Sequence, residues 1–189
     1  RGTCSLTHCT HQLSLKATRQ FILSVILPDL LYCCSCFAMK LSAKDRQRLS
    51  SVYRRSVRAA CGSKLQDDVM PLLARLSIDP FEHYLIRSIA KFIHVNHVVF
   101  PLPNLTDLFP QVSTGPRTTR SSFNAAIAIS KFRTTDGVNS FSNRAALFFN
   151  SLPVEWRTQH RTTFAKHLQT MLKDAASFQK YFDLLFGKR

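Results

Sequence analysis

The stretch Ser42–Gly62, SAKDRQRLSSVYRRSVRAACG, constrains the fold more than any other part of the chain. Ser42 followed three residues later by Asp45 has the form of a capping box, and Gly62 suits the left-handed position just past a last helical turn. At about 100° per residue, Leu49, Tyr53, Val57 and Ala60 share one helical face. Lys44, Arg48, Arg55 and Arg58 share the opposite face, and Arg54 flanks them. Such a helix must cover its apolar side with other elements, so the chain requires a helical layer packed against it. An ordinary solvated face mixes charge signs. Here Asp45 is the sole acid, and the cap takes it. The face therefore reads as one that contacts phosphate.

Other segments carry the same helical period. Leu15–Leu27 reads as one helix and Pro28–Met39 as a second, with Pro28 at a favourable first position. Val69–Leu76 is a short helix. Asp79-Pro80-Phe81-Glu82 opens another that runs to about Asn96, with Phe81, Leu85, Ile89, Phe92 and Ile93 buried and Arg87, Lys91 and His94 off that stripe. Pro101, Pro103, Pro110, Gly115 and Pro116 make residues 101–120 a linker. Ala125–Arg133 and Val138–Phe141, joined at Asp136-Gly137, suggest a short β-hairpin. Ser142 then caps a helix through Asn150, Thr162 or Thr163 starts another, and Phe178–Phe186 forms the last. The expected architecture is mainly α. It comprises a frayed stretch 1–13, a helical unit 14–100, the linker 101–120 and a C-terminal unit 121–189 with the hairpin and helices.

Lysine and arginine number 26 against 11 acids, a net charge of +15, so the preferred partner is a polyanion, with nucleic acid ahead of anionic membrane. The six cysteines are not spaced as a disulfide framework: Cys33, Cys34 and Cys36 crowd one apolar segment and Cys61 stands alone. Free thiols in a reducing compartment are expected. Residues 1–20 lack the apolar core of a secretory signal. Phe21–Met39 exceeds the threshold of about 18 apolar residues for a membrane span. Yet Asp29 near its centre costs about 2.5–3.5 kcal/mol on insertion, while each Leu or Ile returns about 0.3–0.6 kcal/mol. A buried segment bent at Pro28 is preferred. A basic membrane-associated protein using this run is one alternative. A helix-turn-helix DNA-binding module built through Ser77-Ile78-Asp79 is another.

Sites for chemistry are sparse. Asp67-Asp68 falls at a helix start, where acids satisfy free N–H groups, and reads as a cap rather than a metal site. Cys4, His8, Cys9 and His11 are zinc-type ligands without finger spacing. No GxxxxGK[ST], GxSxG or HExxH occurs. Phe148, Phe149 and Trp156 read as packing residues more than as platforms for bases.

Two motifs carry a resemblance. Phe141–Arg157, FSNRAALFFNSLPVEWR, holds an aromatic-Asn-x-Leu-Pro sequence, and Ile26–Cys33 reads ILPDLLYC. In that order they resemble the thumb start and the far C-terminal end of reverse transcriptases from non-LTR, LINE-type retrotransposons of the CR1/L2/jockey kind. Where Phe149 stands the family often has Trp. The resemblance spans residues from about 14 to about 174. It implies a thumb-like helical bundle at 14–100 and a post-thumb tail from about 117. It also implies an upstream polymerase site with an aromatic-x-Asp-Asp turn binding Mg2+, and a chain beginning at Arg1 fits a piece cut from such a frame. By this reading the chain alone is not an enzyme and needs no cofactor. Its partners are an RNA template and a DNA strand, with no small-molecule substrate, in the nucleus or in a cytoplasmic ribonucleoprotein. The gripping residues would be Lys44, Arg48, Arg54, Arg55, Arg58, Arg87, Lys91, Arg117 and Arg120.

Overall fold

The computed structural model describes residues 14–99, 108–110 and 125–187. The protein is mainly helical, as the sequence predicts. The chain divides into two compact units, Arg1–Leu85 and Ile86–Arg189, and the division falls inside one helix. The frayed stretch 1–13 with its Cys4, His8, Cys9 and His11, and nearly all of the linker 101–120, lie outside the described residues.

In the first unit, α1 (Leu15–Phe21) is capped by Ser14, whose hydroxyl accepts from the Ala17 N–H. The helix then runs through a π-helical turn, Ile22–Ile26, into α2 (Leu27–Leu31). Pro28 therefore does not restart a helix. Its ring would collide with the carbonyl four residues back in an α-helix and it has no N–H to donate. The wider π turn, in which the Leu27 N–H reaches the Ile22 carbonyl, carries the helix past it. The chain turns at Tyr32 and Cys33, where Cys33 has φ 50°, and continues as α3 (Cys34–Phe37). Asp29 lies exposed, while Ile22, Leu27, Cys34 and Ala38 are buried. Among the described residues no helix is long and apolar enough to cross a membrane.

The central helix α4 (Ala43–Ala60) begins at Ser42, which accepts from the Asp45 N–H and donates to its carboxylate at 2.6 Å. It ends at Gly62, φ 65°, where the Ser63 N–H bonds the Arg58 carbonyl and the Gly62 N–H bonds that of Ala59. Tyr53, Val57 and Ala60 are buried as expected, Ser50 is buried with them, and Leu49 is half-buried. The Tyr53 ring meets Phe81 at 5.8 Å and its hydroxyl donates to the Asp79 carbonyl at 3.0 Å. Helix α5 (Val69–Leu76) packs against α4 and α1. Asp68 caps it by accepting from the Met70 N–H, and Asp67 accepts from the Lys64 N–H, so both carboxylates hold backbone at the helix entry. The end of α5 repeats the geometry seen after α4, with the Ile78 N–H on the Leu73 carbonyl, but Ser77 occupies the left-handed position at φ 52°. Helix α6 (Phe81–His94) carries the chain into the second unit.

The second unit contains no strand among the described residues. The hairpin suggested around Asp136-Gly137 is instead a helical turn, α7 (Thr135–Val138), because Thr134 caps it through the Gly137 N–H. Next come α8 (Phe141–Ser151), α9 (Val154–Arg157), α10 (Arg161–Met171) and α11 (Ala175–Phe186). The cap of α8 is Ser140, not Ser142, since the Ser140 hydroxyl accepts from the Asn143 N–H. His160 starts α10 and Asp174 starts α11, each one or more residues ahead of the sequence expectation. Helices α8 and α11 pack together, with Phe148 edge-on to Tyr181 at 5.5 Å. Arg144 donates to the Leu185 carbonyl at 3.2 Å, placing a positive charge where the α11 dipole is negative.

Two residues of the Phe141–Arg157 motif hold this unit closed. The Asn150 amide accepts from the Ile127 N–H at 2.9 Å and donates to the Ile127 carbonyl at 2.8 Å. The buried Arg157 donates to the carbonyls of Leu152 and Asn150. Asn150→Ala would leave both polar groups of the buried Ile127 unpaired, which should destabilise this unit by about 2–4 kcal/mol in urea denaturation. Ser77→Gly should act oppositely and raise the stability of the first unit by about 0.5–1 kcal/mol, because glycine carries no Cβ penalty at positive φ. A lowered urea midpoint in the glycine variant would contradict the strain assigned to Ser77.

Candidate nucleic-acid interface

The cations foreseen on α4 separate into two groups. Lys44, Arg48 and Arg55 line a shallow hollow of about 340 Å³ on the exposed face, together with Gln47, Ser51 and the exposed Val52. Residues 44, 48, 51 and 55 are one helical turn apart, so the hollow runs along the helix axis. Arg54 and Arg58 turn aside to the flank facing α5, where they line a different cavity. There Arg54 donates to the Ser50 hydroxyl at 3.0 Å, and the Arg58 Nε donates to the Asp67 carbonyl at 2.7 Å.

Asp45 is the acid within α4, and its position decides how much charge the hollow keeps. The Ser42 hydroxyl is the main cause lowering the pKa of Asp45, and the charges of Arg48 and Lys44 add to it. Its carboxylate also meets the Arg48 guanidinium at 3.2 Å, but the arginine side chain remains 68% exposed. An ion pair this open to water is weak and exchangeable, so Arg48 can turn to a phosphate. The hollow thus offers three cations with two neutral hydrogen-bonding side chains between them, which suits sugar and phosphate groups.

Gln47 and Ser51 do not stand out in the sequence, because neither carries charge. Their spacing nevertheless places them: each lies three or four residues from Lys44, Arg48 or Arg55, and so on the same face. Arg87 and Lys91 belong to the second unit. Partial burial lowers the pKa of Lys91, and the charges of Arg87 and Arg161 lower it further. Arg161, at the first position of α10, joins this group only through folding, and no local spacing announces it. Arg117 and Arg120 lie outside the described residues.

The aromatic residues singled out in the C-terminal motif pack rather than display their faces, whereas Tyr32 and Phe132 are exposed. Phe148 and Phe149 are fully buried, and Trp156 stacks on His167 at 5.2 Å. His94 is fully buried, parallel to Phe164 at 4.1 Å, and neither of its ring nitrogens has a hydrogen-bond partner among the described residues. Burial is the main cause lowering its pKa, with the charges of His97 and His160 acting in the same direction. The carbonyls of Gln159 and Arg157 oppose the shift from beyond good hydrogen-bonding geometry. His97 is shifted down too, mainly by burial, against a bond from its ring to the Ala125 carbonyl at 3.0 Å.

Among the described residues, no group of three or more His, Cys, Asp or Glu side chains is arranged to hold a metal ion. No protein-family model, curated protein or solved structure matches the chain.

The buried histidines set a pH dependence. With folded pKa values below the ordinary 6.5 or so, the unfolded chain takes up protons first. Their contribution to stability is complete above about pH 6.5 and is lost as pH falls through the folded values. His94→Phe keeps the ring stack and removes one of these protons. The difference in urea midpoint between about pH 7.5 and about pH 5 should shrink in that variant relative to the parent. An unchanged difference would assign the effect to His97.

Proposed function

We propose that this chain is the nucleic-acid-gripping C-terminal part of a retrotransposon RNA-directed DNA polymerase. In this role it contacts the sugar-phosphate backbone of the template–primer duplex and leaves the chemistry to another part of the enzyme. The observation that carries the reading is the hollow along α4, where Lys44, Arg48 and Arg55 converge with Gln47 and Ser51. The net charge of +15 supports it, because a strongly basic chain concentrates polyanions at its surface. The ordered resemblance of ILPDLLYC and FSNRAALFFNSLPVEWR to LINE-type reverse transcriptases supplies the polymerase context.

A grip of this kind needs charge and shape but no base readout. Bonds to phosphate fix register and orientation of the duplex while leaving its base sequence unread. Arg87, Lys91 and Arg161 would add a second set of such bonds from the other unit. Arg54 and Arg58 are less suited to the duplex backbone, because each is already tied to its own helix neighbourhood.

The test is the salt dependence of binding to an RNA–DNA hybrid and to duplex DNA. In the triple variant Lys44→Ala, Arg48→Ala, Arg55→Ala, the log–log slope on duplex DNA should fall by about 0.9 for each phosphate no longer neutralised, so by about 2.7 in all. The weakening should be uniform across sequences. A slope equal to that of the parent would remove this face from the interface, and a strong sequence preference would favour major-groove reading instead.

A further inference from the structure

A cavity of about 300 Å³ lies between α4, the start of α5 and the start of α6, entirely within the first unit. Its volume is at the lower end of the range of roughly 300–1,000 Å³ for small-molecule sites. Tyr53, Leu73 and Phe81 supply apolar lining, and exposed Met70 lines it too. Its polar groups have opposite signs: Arg54 and Arg58 come from α4, Asp68 and Glu82 from the helix starts. Neither arginine forms a salt bridge with either acid.

This lining disfavours a phosphate. Two carboxylates would repel a phosphate as strongly as two guanidinium groups attract it. A neutral planar ligand that accepts hydrogen bonds along one edge and donates along the other satisfies both. Arg58 uses Nε on the Asp67 carbonyl and keeps its terminal N–H groups for an acceptor. Asp68 uses one carboxylate oxygen on the Met70 N–H and keeps the second for a donor. Among the nucleobases, guanine meets this pattern most fully, with O6 and N7 as acceptors and the N2 amino group as donor. Its two edges are free together only when the base is unpaired and unstacked.

We propose that this cavity captures an unpaired guanine from a single-stranded stretch of the nucleic acid held on α4. The inference rests on the nucleic-acid reading above and adds to it a site with base preference. The duplex backbone and the unpaired base use different sides of the same helix: Lys44, Arg48 and Arg55 for one, Arg54 and Arg58 for the other.

The experiment uses the full chain and short thymine-only DNA strands, unmodified or carrying one central guanine, inosine or 7-deazaguanine. The guanine strand should bind about tenfold tighter than the all-thymine strand. Inosine, lacking the amino group, and 7-deazaguanine, lacking N7, should each lose part of that margin. The double variant Asp68→Asn, Glu82→Gln keeps a capping residue on α5 and makes the chain more positive. It should erase most of the guanine margin while binding duplex DNA as well as the parent or better. Equal binding of guanine and thymine strands by the parent would overturn the proposal, as would a guanine margin unchanged in the double variant. The two readings fail separately. If the guanine margin appears but the Lys44, Arg48, Arg55 triple variant leaves the duplex salt slope unchanged, the cavity stands and the α4 hollow loses its role.

Discussion

Asn150 offers the Ile127 backbone the donor and the acceptor that a neighbouring strand would have offered, from the last full turn of a helix. Ile127 is buried while its neighbours are partly or wholly exposed, and a backbone group left unpaired at such a place costs about 1–3 kcal/mol. The side-chain amide removes that cost for Ile127. Arg157 then fastens the exit of α8 by donating to the Leu152 and Asn150 carbonyls, so the amide is presented from a fixed turn. With this corner set, Phe148 and Phe149 can be fully buried and α11 can lie along α8. The most recognisable sequence motif in the chain is thus first a structural device. Its Asn and Arg are explained by the carbonyls and N–H groups that they satisfy.

The first unit depends on a different economy. Tyr53 fills its centre while its hydroxyl reaches the Asp79 carbonyl, which ties the middle of α4 to the entry of α6. That bond fixes the rotation of α4 about its own axis. The same rotation turns Lys44, Arg48 and Arg55 outward and Arg54 and Arg58 toward α5. One buried aromatic residue therefore sorts the cations of the helix. Charge that looks like one stripe on a helical wheel becomes two environments, because the residues at the edge of the stripe already touch the next helix.

Much of this was legible in the sequence because it is local. The span of Val69–Leu76, the Ser42 cap, the Gly62 terminus and the capping role of Asp68 are set within a few residues. What escaped depends on distant partners. Asp136-Gly137 has the form of a hairpin turn, but Thr134 and Ser140 claim the residues around it with helix caps, and among the described residues no strand lies beside Val138–Phe141 to reward extension. Pro28 marks a helix start by its preference, yet a π turn absorbs it, and that turn and α2 share a buried side through Ile22 and Leu27. For the candidate interface, the cations on α4 could be named from spacing alone. Their division between an open hollow and a cavity, and the grouping of Arg161 with Lys91, appear only once helices from different parts of the chain are packed.

The amide that closes the second unit also gives it a chemical lifetime. Asn150 is followed by Ser151, a small residue, and asparagine side chains are among the thermolabile groups of proteins. Where the cyclic imide formed with loss of ammonia reopens to aspartate, one nitrogen is exchanged for oxygen and the side-chain shape is almost unchanged. The carboxylate could still accept from the Ile127 N–H, but it would set a negative oxygen against the Ile127 carbonyl that the amide now donates to at 2.8 Å. Attraction would become repulsion at the point where the unit is fastened. While α8 stays folded, its backbone resists the cyclisation that this ageing reaction needs, so the clasp and the helix protect one another, and heat that loosens either exposes both.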